Sequence, residues 1–189
     1  MLLHCKEDYR KLIEKLVKEG LDINSTYELI GHDIRARVTS TEEIIDIFEL
    51  DKDVINGFVK AISNFDATKI GPYITEKYFL LMPSLKDAVL QLKLDSMGSR
   101  RCVITFPKEH CFQSIQFLVR ENTIHVVCFM RSCDVVKNLP YDMWLCSFLA
   151  DVFANYIEKT TNKTLYTHHN ITMYFGSLHV FKEDLDNVF

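Results

Sequence analysis

The sequence predicts an α+β fold in a single domain spanning residues 1–189. Three observations carry this. Apolar residues recur at helical spacing through the first third of the chain. Three runs rich in β-branched and aromatic residues follow one another between 101 and 130, with a fourth at 171–181. A long stretch from Pro140 is apolar on nearly all sides, as a buried central helix requires. Consecutive strands, rather than strands alternating with helices, argue for segregated α and β elements.

In chain order, residues 7–18 form an amphipathic helix, with Tyr9, Leu12, Ile13 and Leu16 on one face and Gly20 as its stop. Residues 27–38 read as extended around Gly31. A helix over 41–48 takes Ser40 or Thr41 as its cap and places Glu42 and Glu43 in its first turn. A second helix over 51–65 aligns Val54, Phe58 and Ile62. A loop with Gly71-Pro72 follows at 66–73, then a helix over 85–94. Strands are predicted at 101–106, 112–119 and 123–130. Pro140 opens the apolar helix, through about Tyr156, because proline suits a first turn. Residues 161–170 read as polar loop and 171–181 as the last strand.

Composition sets bounds. The hydrophobic fraction of 48% and charged fraction of 25% are ordinary for a globular protein. Charges follow Met1-Leu2-Leu3-His4-Cys5 at once, unlike a signal peptide, and no apolar run has membrane-spanning length, so a cytoplasmic protein is expected. A net charge of −4 gives no general attraction to nucleic acid. The 6 cysteines include no CxxC pair, so neither a zinc site nor another metal is expected, and the thiols are expected to be reduced.

The chemistry concentrates between Cys111 and Asp142. Cys111 ends the polar turn Lys108-Glu109-His110. Two apolar runs separated by Arg120-Glu121-Asn122 form a hairpin, which returns the chain to Arg131-Ser132-Cys133-Asp134 near Cys111. A cysteine at a strand start is by itself a small hydrophobe. Polar neighbours and an arginine favouring the thiolate make it a nucleophile candidate. Arg131 with Ser132 has the makings of a phosphate clamp, and Ser99-Arg100-Arg101 repeats the theme. Asp142 by itself suits a helix first turn, and His179 suits a strand interior.

The segment RSCDVVKNLPYD resembles the signature of the thymidylate synthase family, an arginine-serine-x-aspartate element followed by a leucine-proline-aromatic step. Cys111 lies twenty residues before Arg131, the spacing of that family's catalytic cysteine. QLKLDSMGSRRCVITF matches its arginine-bearing helix end, FGSLHVF its histidine strand, and Leu29-Ile30-Gly31-His32 its first strand. The resemblance runs from Tyr27 to Phe181 and is strongest over 91–181. It implies a mixed sheet packed by helices. It also implies a homodimer binding a pyrimidine nucleoside monophosphate, with 5,10-methylenetetrahydrofolate as co-substrate. Cys111 would attack C6 of the base. Arg131 and Ser132 would hold the 5′-phosphate, with Arg100 and Arg101 reaching in from the partner subunit. Asp134 would meet the pterin, His179 the sugar, and Glu49 would be the catalytic glutamate, with Asp46 as its rival.

Departures refine this expectation. The family's synthases carry asparagine where this chain has Asp142, and aspartate there resembles the deoxycytidylate hydroxymethylases. The implied reaction converts dCMP or CMP to its 5-hydroxymethyl product, with water rather than hydride completing it. The alternatives are a nucleotide-binding homologue without turnover and a synthase methylating dUMP. Phe181 replaces a tyrosine, LDINSTY at 21–27 lacks the family's arginine and glycines, and Trp144 is the only tryptophan. Ten residues follow His179, where the synthases have a longer closing segment.

Overall fold

A computed structural model describes residues 1–64, 98–161 and 168–187. The expected loop at 66–73 and helix at 85–94 lie outside them. Two short strands, β1 (Leu2–Leu3) and β2 (Leu21–Ile23), bracket helix α1 (Lys6–Glu19), and the long β3 (Thr26–Val38) follows. Helices α2 (Thr41–Phe48) and α3 (Lys52–Asn64) come next. After the undescribed stretch come β4 (Val103–Thr105), β5 (Phe112–Arg120) and β6 (Thr123–Asp134). Helix α4 (Leu139–Thr161), β7 (His169–Phe181) and a 3-10 turn (Lys182–Asn187) complete the order.

The strands form one sheet in the order β1-β3-β7-β6-β5-β4, with β2 paired to β3. It is mixed: β6 and β7 run parallel, whereas β3–β7, β5–β6 and β4–β5 are antiparallel. The parallel pair exists because α4 crosses over between its strands, as a parallel connection requires. Helix α1 packs on β3, α4 on β6 and β7, and α2 beside α4. Leu12, Ile13 and Leu16 are fully buried, so the predicted face of α1 is the one used. Nearly every turn of α4 is buried, from Leu139 through Trp144 and Leu149 to Ile157. Phe153 stacks on Phe117 of β5 at 4.8 Å.

The β5–β6 hairpin closes through Glu121 and Asn122, at φ 50° and 62°. Two left-handed residues match the right-handed twist of the strands. At the other end, a kink crosses three strands. The β3–β7 pairing skips Gly31 (φ 63°) and Gly176, and the β6–β7 pairing skips Arg131 and Gly176. A Cβ on Gly176 would lie 2.7 Å from the Arg131 carbonyl oxygen, so only glycine permits this approach.

Some expectations need correction. Strand β6 runs four residues past Met130, so Arg131 to Asp134 are part of a strand. His169 and Asn170 belong to β7, not to a loop. Val54 is exposed, and Ile55 beside it is buried. Ser40 sits at the N-cap of α2 without a side-chain bond. Thr39 supplies the contact instead, donating its N–H (2.9 Å) and its hydroxyl to Glu43.

Candidate active site

The hairpin brings its two ends together. Arg131 N–H donates to the Cys111 carbonyl at 2.8 Å. The Ser132 hydroxyl donates to Cys111 Sγ at 3.7 Å. Cys111 is half-buried, whereas Cys102, Cys128, Cys133 and Cys146 are buried and Cys5 is exposed. An accessible thiol with a polar partner is the setting a nucleophile needs. All six are free thiols. Cys128 and Cys146 touch at 3.2 Å in the core, and that contact, with burial, pushes the Cys146 thiol well up.

The parallel β6–β7 register sets Ser132 opposite Ser177 and Asp134 opposite His179, and Val135 N–H donates to the His179 carbonyl at 2.8 Å. Asp134, buried at the end of β6, closes a tight turn: its Oδ1 accepts the N–H groups of Val136 (2.9 Å) and Lys137 (3.0 Å). Asn138 N–H donates to the Asp134 carbonyl, and Asp142 N–H to that of Asn138. Asp142, 3% exposed, therefore stands in the first turn of α4, where the helix dipole favours its carboxylate. The Cys133 thiol points at Asp142 Oδ2 from 3.8 Å.

Tyr9 of α1 braces the same turn, its hydroxyl donating to the Val135 carbonyl at 2.9 Å. Burial, then the charges of Asp134 and Cys133, hold that phenol well above its usual range, so it remains a donor.

These elements enclose a cleft of about 500 Å³. Cys111, Ser132, Asp134, Asp142 and His179 all line it, as does Phe181, which stands in place of the family's tyrosine, together with three residues that sequence reasoning did not single out: Cys133, Lys137 and Asn138. Those three lie inside the quoted RSCDVVKNLPYD segment, so its spacing was a usable signal. Tyr9 had none, being 126 residues from the carbonyl it holds.

Other predicted residues are not brought into this cleft. The exposed Arg131 guanidinium donates to the carbonyls of His110 (3.3 Å) and Glu109 (3.4 Å), turned toward the polar turn. Arg100 and Arg101 are exposed ahead of β4. Glu49 lies at the left-handed C-cap of α2, exposed and 2.5 Å from Lys6. Asp46 is also exposed on α2. No cluster of three or more metal-ligating side chains occurs among the described residues, and none of their helices is long and apolar enough to cross a membrane.

The thymidylate synthase family profile matches residues 85–188, more than half of the chain. The chain belongs to the thymidylate synthase family. Among solved structures it is similar to the thermostable thymidylate synthase A from Bacillus subtilis, with TM-score 0.61, 15% identity, and coverage of 97% of this chain and 82% of that one. That likeness concerns the fold: a mixed sheet packed by helices. A search of curated protein sequences found no match. The family transfers a one-carbon unit to C5 of a pyrimidine nucleotide, takes methylenetetrahydrofolate as co-substrate, and usually forms dimers.

Proposed function

We propose that this chain is a hydroxymethyltransferase acting at C5 of a cytidine monophosphate, deoxy in preference to ribo. The observation that carries this reading is Asp142: a carboxylate, 3% exposed, on the wall of the cleft that also holds Cys111. An amide at this point offers uracil one donor and one acceptor. A carboxylate accepts from the amino group of cytosine, and in its protonated form also donates to N3. A buried mismatch of donors and acceptors discriminates by up to about 10⁴.

The residues divide the work. Cys111 attacks C6 as the thiolate, which makes C5 nucleophilic. Ser132, beside its sulfur, orients the thiol and reaches the phosphate. His179, paired across the strands with Asp134, meets the sugar. Bound methylenetetrahydrofolate supplies the one-carbon unit. The fit of the cleft to that group rests on Asp134, whose Oδ1 is committed to the turn while the residue still lines the cleft, and on the Phe181 ring at its edge. The 5-hydroxymethyl product follows when water completes the reaction. Phosphate charge exceeds what this chain offers inside the cleft, so Arg131 turns inward on binding and Arg100 and Arg101 come from a second subunit. Phe129 and Tyr174, stacked at 5.2 Å and exposed on the sheet face away from the helices, suit the pairing of two sheets in a homodimer.

A second reading, nucleotide binding without turnover, is favoured by one observation. Glu49 is exposed and paired with Lys6 rather than facing the cleft. Base choice tests the main reading. Asp142→Asn should move binding and turnover from dCMP toward dUMP, and an unchanged preference contradicts the assignment.

A further inference from the structure

We propose that Lys137 is the anion-binding residue at the mouth of the cleft, and that its ion pair with Asp184 is the contact an incoming aromatic carboxylate replaces. This deepens the reading above and rests on it for the identity of the natural ligand, since the folate co-substrate carries a benzoyl ring linked to carboxylates. Among the described residues lining the cleft, Lys137 is the one with an ammonium or guanidinium group. Its Nζ lies 2.7 Å from Asp184 Oδ2 and 3.8 Å from Glu183 Oε1. It also stands 5.2 Å from the centre of the Phe181 ring, which lines the same cleft.

The two partners are held unequally. The Asp184 side chain is 12% exposed and that of Lys137 is 52% exposed. Asp184 sits on the 3-10 turn, whose first residue Lys182 is anchored by Asp22 at 2.6 Å and lies 5.0 Å from the Tyr27 ring centre. Lys137 has a flexible four-carbon stem and three donors. The lysine is therefore the partner that swings. An aromatic ring laid beside Phe181 would bring an attached carboxylate to the ammonium. The ammonium exchanges one carboxylate for another, so no charge is left unpaired there, and Asp184 takes up water.

The test is calorimetric titration of the full chain with p-aminobenzoylglutamate and with its uncharged diamide, with dCMP titrated alongside. The wild type should bind the acid about tenfold more tightly than the diamide. Lys137→Met should erase that difference and Lys137→Arg should restore it. Asp184→Asn should tighten binding of the acid, because it removes the competing carboxylate. Opposite signs for Lys137→Met and Asp184→Asn mark a displaced partner, whereas a structural ion pair weakens both together. Equal affinity for acid and diamide in the wild type, or parallel weakening in the two variants, overturns the proposal. Absence of dCMP binding with the acid preference intact overturns the functional reading and leaves the Lys137 site standing.

Discussion

In the proposed reaction a cysteine and an aspartate decide the chemistry at the residue scale. Cys111→Ala should abolish turnover while nucleotide affinity, read by calorimetry, stays within about threefold, because the sulfur bonds only during reaction. The closeness of Cys111 to Ser132 was legible from hairpin closure, which acts over a short separation, whereas Asp142 was singled out by the family resemblance. Glu49 was not. Its proposed role came from a resemblance in a short helix, while its position follows from a left-handed cap and a nearby lysine. Asp151 offers a test by pH. Burial pushes its carboxyl up, but hydrogen bonds from His169 and Thr41 outweigh this and leave it below the ordinary carboxylate value. A depressed carboxyl stabilises the fold above its unfolded value, and that stability fades as pH falls through the folded value. Thermal scans between about pH 5 and 3 should therefore show a steeper loss of Tm in the wild type than in Asp151→Asn.

Strands and helices do the positioning at the next scale. The kink through Gly31, Arg131 and Gly176 turns the ends of β6 and β7 so that Ser132, Asp134 and His179 line the cleft. Gly176→Ala should cost about 1–3 kcal/mol in chemical denaturation and weaken dCMP binding, because its Cβ meets a backbone carbonyl rather than a yielding side chain. Element types followed from periodicity, and α2 matched its predicted bounds. The extension of β6 through Asp134 did not, because polar residues that face a cleft look like a strand's exit. Val54 was expected inside and Ile55 is buried instead: the two are equally apolar, and only packing chooses between them.

The whole molecule raises the question of charge. A nucleotide phosphate carries more charge than the single ammonium lining the cleft offsets, so the proposed reaction calls on a second subunit. Phe129→Asp should shift the protein from dimer toward monomer in sedimentation, by placing a charge in the sheet face. Mixing inactive Cys111→Ala protein with an inactive Arg100→Ala/Arg101→Ala double variant should restore roughly a quarter of wild-type activity. Half of the random dimers then carry one complete site of two. No recovery would place the arginines in their own subunit's cleft. This level was the least legible from the residues alone, because an arginine supplied by a second copy would leave no local pattern. The α+β class followed from the order of the elements, and the mixed sheet from the family resemblance.

The most direct measurement follows tritium from C5. The protein is incubated with methylenetetrahydrofolate and C5-tritiated dCMP, CMP or dUMP, and released tritium and product mass are read together. Release from a cytidine nucleotide, with a mass gain of one hydroxymethyl group and no dihydrofolate, is the predicted result. Release from dUMP with dihydrofolate formed, or no release from any of the three while nucleotide still binds, would contradict it.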